Sequence, residues 1–437
     1  MTFGYSHYVP CMKYLDYLLI SLCLVAGSCS AKSEGVVLGD ERFEEFLPLL
    51  EGQRVALLSN QTGIVGDEVL SGGIDERWKG RGDRSLVPFG DPVTGPHILD
   101  ALLEKGVEVT AVFSPEHGFR GKADAGAKVE SSVDEATGVP ILSLYGGGGH
   151  SPSEEAMNQF DILVVDIQDV GLRFYTYYVT MYHMIRECAL HGKKVVVLDR
   201  PNPNGMYVDG PILDMTYRSG VGYLPIPVVH GMTLGELALM MNGEGWLADR
   251  WNDENAPDLR CDLTVVPCLN YTHQTRYSLI LAPSPNLKDM KAIYLYPSTC
   301  LFEGSVVSLG RGTDSPFEIF GHPDMTGYDF SFTPESVPGA LNPPLLGQKC
   351  FGKDLRGMSD DEIISRGFDL TYLVEACRNL KIGNDFFRAR FFNLLTGRNY
   401  VRKMIDTGAS VQEIRSKWAS DVEAFKIQRK PYLLYEE

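Results

Sequence analysis

Phe113 to Gly121 reads FSPEHGFRG, which puts Glu116, His117 and Arg120 within five residues. A carboxyl, an imidazole and a guanidinium so placed can exchange a proton, orient the group that exchanges it, and hold an anion. Glu116 is the candidate general acid/base, because a carboxyl in a partly apolar crevice rises toward the pKa such work needs. His117 suits an orienting role, and Arg120 suits anion capture. One such cluster is compatible with a solvated turn. The weight comes from further polar groups that follow other apolar runs: Asn60 and Gln61, Tyr145, Asp166, Gln168 and Asp169, Arg200 and Asn202, and His230. Arg173, Tyr175 and Tyr177 come just after the Asp166 cluster.

The members have different alternatives. Asp166 and Asp169 are candidates for a second catalytic carboxylate or for loop caps. Asp199 and the PNPN run, Pro201 to Asn204, could equally build a rigid turn, since proline fixes φ and Asn bonds nearby backbone. His230 could be core-edge structure. Thr233 to Glu236 reads as a capping box and needs no chemistry. Arg120, Arg173, Arg200 and Arg311 stand out in an acidic chain and point to a substrate that carries an anion, because guanidinium grips carboxylate or phosphate in a bidentate way. Gly146 to Gly149 lacks the spacing of a phosphate cradle and reads as a flexible loop. With no H-E-x-x-H and no G-x-S-x-G, zinc-hydrolase and Ser-triad chemistry lose support.

These groups need a scaffold that aims them together. Val55–Ser59, 107–113, 139–144, 160–167, Lys194–Leu198 and 226–229 are near-continuous apolar runs, the pattern of strands buried on both faces of a parallel sheet. Helical patterns at 97–104 and 178–191 lie between them. The alternation predicts a doubly wound α/β domain over 51–258, whose ligand edge lies outside the carboxyl ends of the strands. Residues 66–95 are rich in Gly, Asp and Arg and read as an insertion beside that edge. A polar stretch over 247–262 reads as an inter-domain linker. Beyond it, 262–437 has the texture of a smaller α+β domain, with helices near 369–379 and 411–425.

The chain has 437 residues and a formal net charge of -17, which argues against nucleic acid as a partner. At the N-terminus, Lys13 and a short apolar run to Val25 form an export signal rather than a membrane span. Met12 reads as a better start than Met1. Ala26-Gly27-Ser28 before Cys29 matches a lipoprotein box except that Ala26 takes the usual Leu position. The expectation is a signal over 1–28 with Cys29 lipidated, and a linker and lead-in over 29–50; ordinary cleavage after Ala31 competes with it. The protein is then exported, periplasmic or lipid-anchored. Of nine cysteines, six lie beyond Cys29 and none of these makes a metal-binding spacing. One or two disulfides are compatible with export, with no pairing legible.

Taken in order, NQTG (60–63), FSPEHGFRG (113–121), DIQDVGLRFYTY (166–177), LDRPNPN (198–204), HGMTLGELA (230–238), PSPN (283–286), FEGS (302–305) and GRGT with PFE (310–318) resemble the NamZ-type exo-β-N-acetylmuramidases. The resemblance implies a Rossmann-like, mostly parallel sheet domain, an auxiliary C-terminal domain, and a site in the cleft between them. It implies release of N-acetylmuramic acid from the non-reducing end of peptidoglycan fragments, without metal or cofactor. The family's proposed catalytic glutamate falls on Glu116, and the two late motifs add Glu303 and Arg311 to the substrate-binding set. The long 66–95 segment departs from the family pattern and bears on subsite shape. The lactyl carboxylate of N-acetylmuramic acid fits the arginines, and Tyr145, Tyr175 and Tyr177 could pack on sugar faces. Glycosidases pair two carboxyls, about 5 Å apart when retaining, or borrow the substrate's acetamide. The competing reading is an exported module that binds muropeptides or other anionic glycans without cleaving them. A nicotinamide-dependent oxidoreductase has little support in the motifs.

Overall fold

The computed structural model describes residues 35–66, 86, 96–115, 119, 132–144 and 151–437. Five of the six apolar runs pair in one sheet. Val55–Ser59 (β1), Val109–Ser114 (β2), Ser132–Val133 (β3), Pro140–Ser143 (β4), Ile162–Asp166 (β5), Lys194–Leu198 (β6) and Asp262–Val266 (β7) form one sheet in the order β3-β4-β2-β1-β5-β6-β7. All neighbours are parallel except β3 against β4. From β1 the chain builds outward through β2 and β4, then returns to β1's other side and builds through β5, β6 and β7. The order therefore reverses between β1 and β5, where Ser59 is in register with Asp166. A ligand crevice opens outside such a reversal, because the loops there diverge to opposite sides.

Neighbouring residues of each strand feed two different cores. Val55 and Leu57 pack with Phe46, Ile98, Leu99 and Leu102, from helices Phe43–Leu50 (α1) and Ile98–Glu104 (α2). Ala56 and Leu58 belong to the core that holds Tyr178, Tyr182 and Ile185 of the helix Tyr177–Leu190. Leu237 and Met241 of the helix Leu234–Gly243 extend that same core. Alternating burial on two helix layers is what makes the runs apolar throughout.

Three expectations are corrected. β7 belongs to this sheet, so 247–262 runs between two of its strands, β6 and β7, and is no inter-domain linker. Residues 226–229 are no strand of the sheet; Val229 makes isolated bridges to Leu172 and Asp209. The lead-in is part of the domain from Val36 onward. Val37 exchanges backbone bonds with Leu269, and the Gly39 amide donates to the Asp199 carbonyl (3.0 Å). A Cβ on Gly39 would sit 2.5 Å from Asp199 N and Val266 O, so the backbones meet there only through glycine.

The C-terminal part carries a small antiparallel sheet of Ile319–His322 (β8), Phe330–Phe332 (β9) and Cys350–Asp354 (β10), ordered β8-β10-β9, followed by short helices to Arg429. Val36 to Glu437 form one compact unit with a shared apolar core. The six cysteines after residue 180 are free thiols. Among the described residues no helix is long and apolar enough to cross a membrane.

Candidate active site at the reversal of strand order

The loop after β1 is held by its own side chains. Asn60, fully buried, accepts from the Thr62 amide (3.0 Å) and hydroxyl (2.6 Å) through Oδ1, an Asx turn, and its Nδ2 has no partner among the described residues. Thr62 Oγ1 in turn accepts from the Gln168 amide (3.0 Å), which ties this loop to the loop after β5. Gly63 fills the gap between them: a Cβ there would lie 2.3 Å from Ser59 Oγ, 3.0 Å from His97 Nε2 and 3.1 Å from Asp166 Oδ2. His97 caps α2 by accepting from the Leu99 amide at Nδ1 (3.2 Å), so its Nε2 carries the proton donated to the Asn60 carbonyl (2.7 Å). Its ring stands edge-on to Phe119, 4.7 Å between centroids. His97 thus joins the NQTG loop to the FSPEHGFRG segment. Its signal in the sequence is that of a cap, a polar residue just before the apolar pattern ILDALL.

Arg200, at the end of β6, reaches across the same edge. Its Nε and Nη2 donate to Asp166 Oδ1 (2.6 Å) and Oδ2 (3.0 Å), and Nη2 also donates to Asp40 Oδ2 (2.6 Å) and the Ile64 carbonyl (3.1 Å). All three charged groups are buried. The sequence offers Arg200 for the substrate's anion and Asp166 as a second catalytic carboxylate or a loop cap. The structure commits each to the other. Asp40 was missed, because a lone acid in a lead-in carries no signal of burial. Burial pushes its carboxyl up to about 8 against the pull of Arg200. A cleft of about 20 Å³ opens beside this cluster, lined by Thr62, Ile64, Gln168, Arg200, Tyr277 and Leu279 to Leu281. It has room for a water molecule.

Asp169 differs from Asp166. Its Oδ1 accepts from the Gly171 amide (2.7 Å), while Oδ2 is buried without a partner among the described residues. Desolvation lifts its carboxyl to about 7, so it holds or gives up a proton near neutrality. Gln168 is spent on the carbonyls of Asp169 (2.7 Å) and Pro201 (2.8 Å).

Several expected ligand groups turn out to be struts. Arg173 has no exposed surface; Nη1 donates to the carbonyls of Pro211 (2.6 Å) and Ile226 (2.9 Å) and Nη2 to that of Leu395 (2.9 Å). That binds the first domain to the second; Nε is buried without a partner among the described residues. Tyr175 and Tyr177 are buried, edge to face at 4.8 Å, and both hydroxyls donate to the Pro283 carbonyl (2.7 and 3.3 Å). They anchor the PSPN loop instead of presenting a ring to a sugar. Asn202 builds the PNPN turn, accepting from the Asn204 amide (2.8 Å) and donating to the Met232 carbonyl (2.9 Å). His230 is buried, accepts from the Met232 amide (3.2 Å), and is pushed down to about 3 by desolvation, so it stays neutral. The expected Thr233–Glu236 capping box is present.

Arg311 and Glu303 form a half-buried pair, Nη2 to Oε1 at 2.6 Å, with the guanidinium 5.1 Å from the Phe317 ring centre. Tyr296 continues from Phe317 (4.7 Å) to Tyr175 (6.4 Å), so a ladder of rings links this pair to the first domain. Glu116, His117, Arg120, Tyr145 and Cys29 lie outside the described residues, as does nearly all of 66–95. β2, paired with β1, ends in the buried Ser114 and Pro115. Among the described residues no group of His, Cys, Asp and Glu could hold a metal ion.

Comparison with known proteins places these features. A family described as exo-β-N-acetylmuramidase NamZ, N-terminal, matches residues 91–291, and its C-terminal counterpart matches 294–435. The chain is 34% identical over 427 residues to the peptidoglycan β-N-acetylmuramidase NamZ of Bacillus subtilis (strain 168), covering 93% of each. Crystal structures of two DUF1343 family proteins from Bacteroides fragilis NCTC 9343 are similar. One is 53% identical with a TM-score of 0.79, covering 92% of this chain and all of the other. The second is 26% identical with a TM-score of 0.67, covering 92% and 99%.

Proposed function

The chain belongs to the exo-β-N-acetylmuramidase NamZ family, and on that premise we propose that it is a glycosidase that releases N-acetylmuramic acid from the non-reducing end of peptidoglycan fragments, with Glu116 as general acid/base. The observation that carries this reading is the likeness to the Bacillus enzyme, which runs through both domains and not through the sheet alone.

In the proposed reaction Glu116 gives its proton to the glycosidic oxygen as the bond from that oxygen to the sugar's C1 breaks. Water then adds to C1, and its proton returns to a carboxylate. The second group is Asp169 or the substrate's 2-acetamido oxygen. Asp169 is the better carboxyl than Asp166, since one of its oxygens is uncommitted while both of Asp166's face Arg200. With Arg173 and Arg200 engaged internally, Arg120 is the arginine for the lactyl carboxylate, and Arg311 would serve only by exchanging Glu303 for substrate. The signal-like N-terminus supports export, with Cys29 as the lipidated residue; labelling with a radioactive fatty acid tests that, and an unlabelled mature protein rejects it.

The test of activity is turnover of 4-nitrophenyl β-N-acetylmuraminide. The wild type should release nitrophenol. Glu116→Gln should lower kcat by roughly 10²–10⁴-fold, the usual share of a general acid, with an unchanged melting curve. Binding without release by the wild type would favour a non-catalytic glycan module.

A further inference from the structure

Among the described residues, the cluster beneath the cleft holds one guanidinium and two carboxyls, all buried: Arg200 is 6% exposed, and Asp40 and Asp166 have no exposed surface. The two acids are not equivalent. Asp166 receives Arg200 as a two-pronged fork through Nε and Nη2, the geometry of an ion pair. From Arg200, Asp40 receives one bond, through an Nη2 that also serves Asp166 and the Ile64 carbonyl. Its other oxygen has no hydrogen-bond partner among the described residues. The groups that act on Asp40 are Arg200 from β6, Asp166 from β5, its neighbour Glu41, and the Gly66 amide; Tyr277 acts on Arg200 from the far side of the cleft. Two buried negative charges against one positive would leave a net charge in a low-dielectric site, which is expensive, and such sites take up a proton instead.

We propose that Asp40 carries the proton that neutralises this cluster, and that in this state it is a positioning residue for the reaction, fixing Arg200 and through it the NQTG loop at the catalytic edge. The route is short. Arg200 lines the cleft and bonds the Ile64 carbonyl, Thr62 of the same loop bonds the Gln168 amide, and His97 bonds the Asn60 carbonyl while its ring meets Phe119. Burial favours the neutral carboxyl of Asp40, in agreement with the geometry. The lead-in is then a working part of the site and not a tether. This inference rests on the glycosidase reading for its link to catalysis, but not for its proton.

The test uses the full chain and two variants. Asp40→Asn copies the neutral carboxyl in shape and charge; Asp40→Ala removes the partner of Arg200. Unfolding midpoints in urea from pH 5 to 7 should show the wild type taking up one proton more on folding than Asp40→Asn. At pH 6, Asp40→Ala should lose kcat by at least about tenfold, because a displaced loop misplaces the reacting groups. Asp40→Asn should recover most of that loss. If Asp40→Ala does not fold, the proton count decides alone. An identical pH dependence in wild type and Asp40→Asn overturns the proposal, and so does an Asp40→Asn protein as inactive as Asp40→Ala. Should the wild type fail to cleave the chromogenic substrate, the glycosidase reading falls while the proton count still tests Asp40.

Discussion

At the scale of single residues, Arg173 is a guanidinium whose duty is decided by what packs around it. Its motif offered a guanidinium in an acidic protein, and the fold has spent that guanidinium on three backbone carbonyls. Burial without a carboxylate pushes it down to about 10, still far from losing its proton. Arg173→Ala should therefore destabilise the fold by about 3 kcal/mol or more, since it leaves buried carbonyls unpaired and a cavity. Chemical denaturation measures this. A variant of unchanged stability with a raised KM would restore Arg173 as a substrate ligand. Whether a polar group is buried depends on what packs over it from far along the chain, here Leu395 and Pro211, and one-dimensional reading does not see that. Asp40 was invisible for the same reason.

At the scale of elements, the inner parallel strands were legible because each is apolar over most of its length, and β6 matched its expected bounds of Lys194–Leu198. β7 was misassigned because it is an edge strand: Asp262 and Thr264 are exposed, so it reads as loop. Residues 226–229 erred the other way, apolar because buried yet paired only by single bridges. The C-terminal tail is the element the sequence did not announce. The Tyr435 hydroxyl donates to Asp199 Oδ2 (2.6 Å) and accepts from the Cys268 amide (2.9 Å). The Leu434 amide donates to Glu236 Oε1 (2.8 Å), and the His273 amide donates to the Glu436 carbonyl (2.8 Å). The tail thus closes over the loop after β6. Tyr435→Phe keeps the ring and removes the hydroxyl, leaving Asp199 and the Cys268 amide each short of a partner. It should cost about 1–3 kcal/mol of stability in urea titration, and a loss near zero would mean that water replaces the hydroxyl.

At the scale of the whole molecule, several buried carboxyls sit above their ordinary range: Asp40 at about 8, Asp169 and Glu318 at about 7, and Asp199 at about 6, all chiefly through desolvation. Between the unfolded value near 4 and these values, the folded state keeps protons that the unfolded chain releases. Their contribution to stability is greatest at low pH and is lost as pH rises through that window. His230, lowered to about 3, works in the opposite sense, losing stability as pH falls below about 6.5. Among the described residues the four raised carboxyls outweigh the lowered imidazoles of His230 and His322, and a net charge of -17 at neutrality adds self-repulsion as pH rises. The melting temperature should therefore fall from pH 5 to pH 8; a rise across that range would contradict the burial of these acids. The central claim concerns the edge at which β1, β2 and β5 end. Product analysis on a defined disaccharide, N-acetylmuramic acid β-1,4-linked to N-acetylglucosamine, tests it most directly. The account predicts both free sugars from the wild type and intact disaccharide from a folded Glu116→Gln protein. Intact disaccharide with the wild type, or equal cleavage by both, would contradict it.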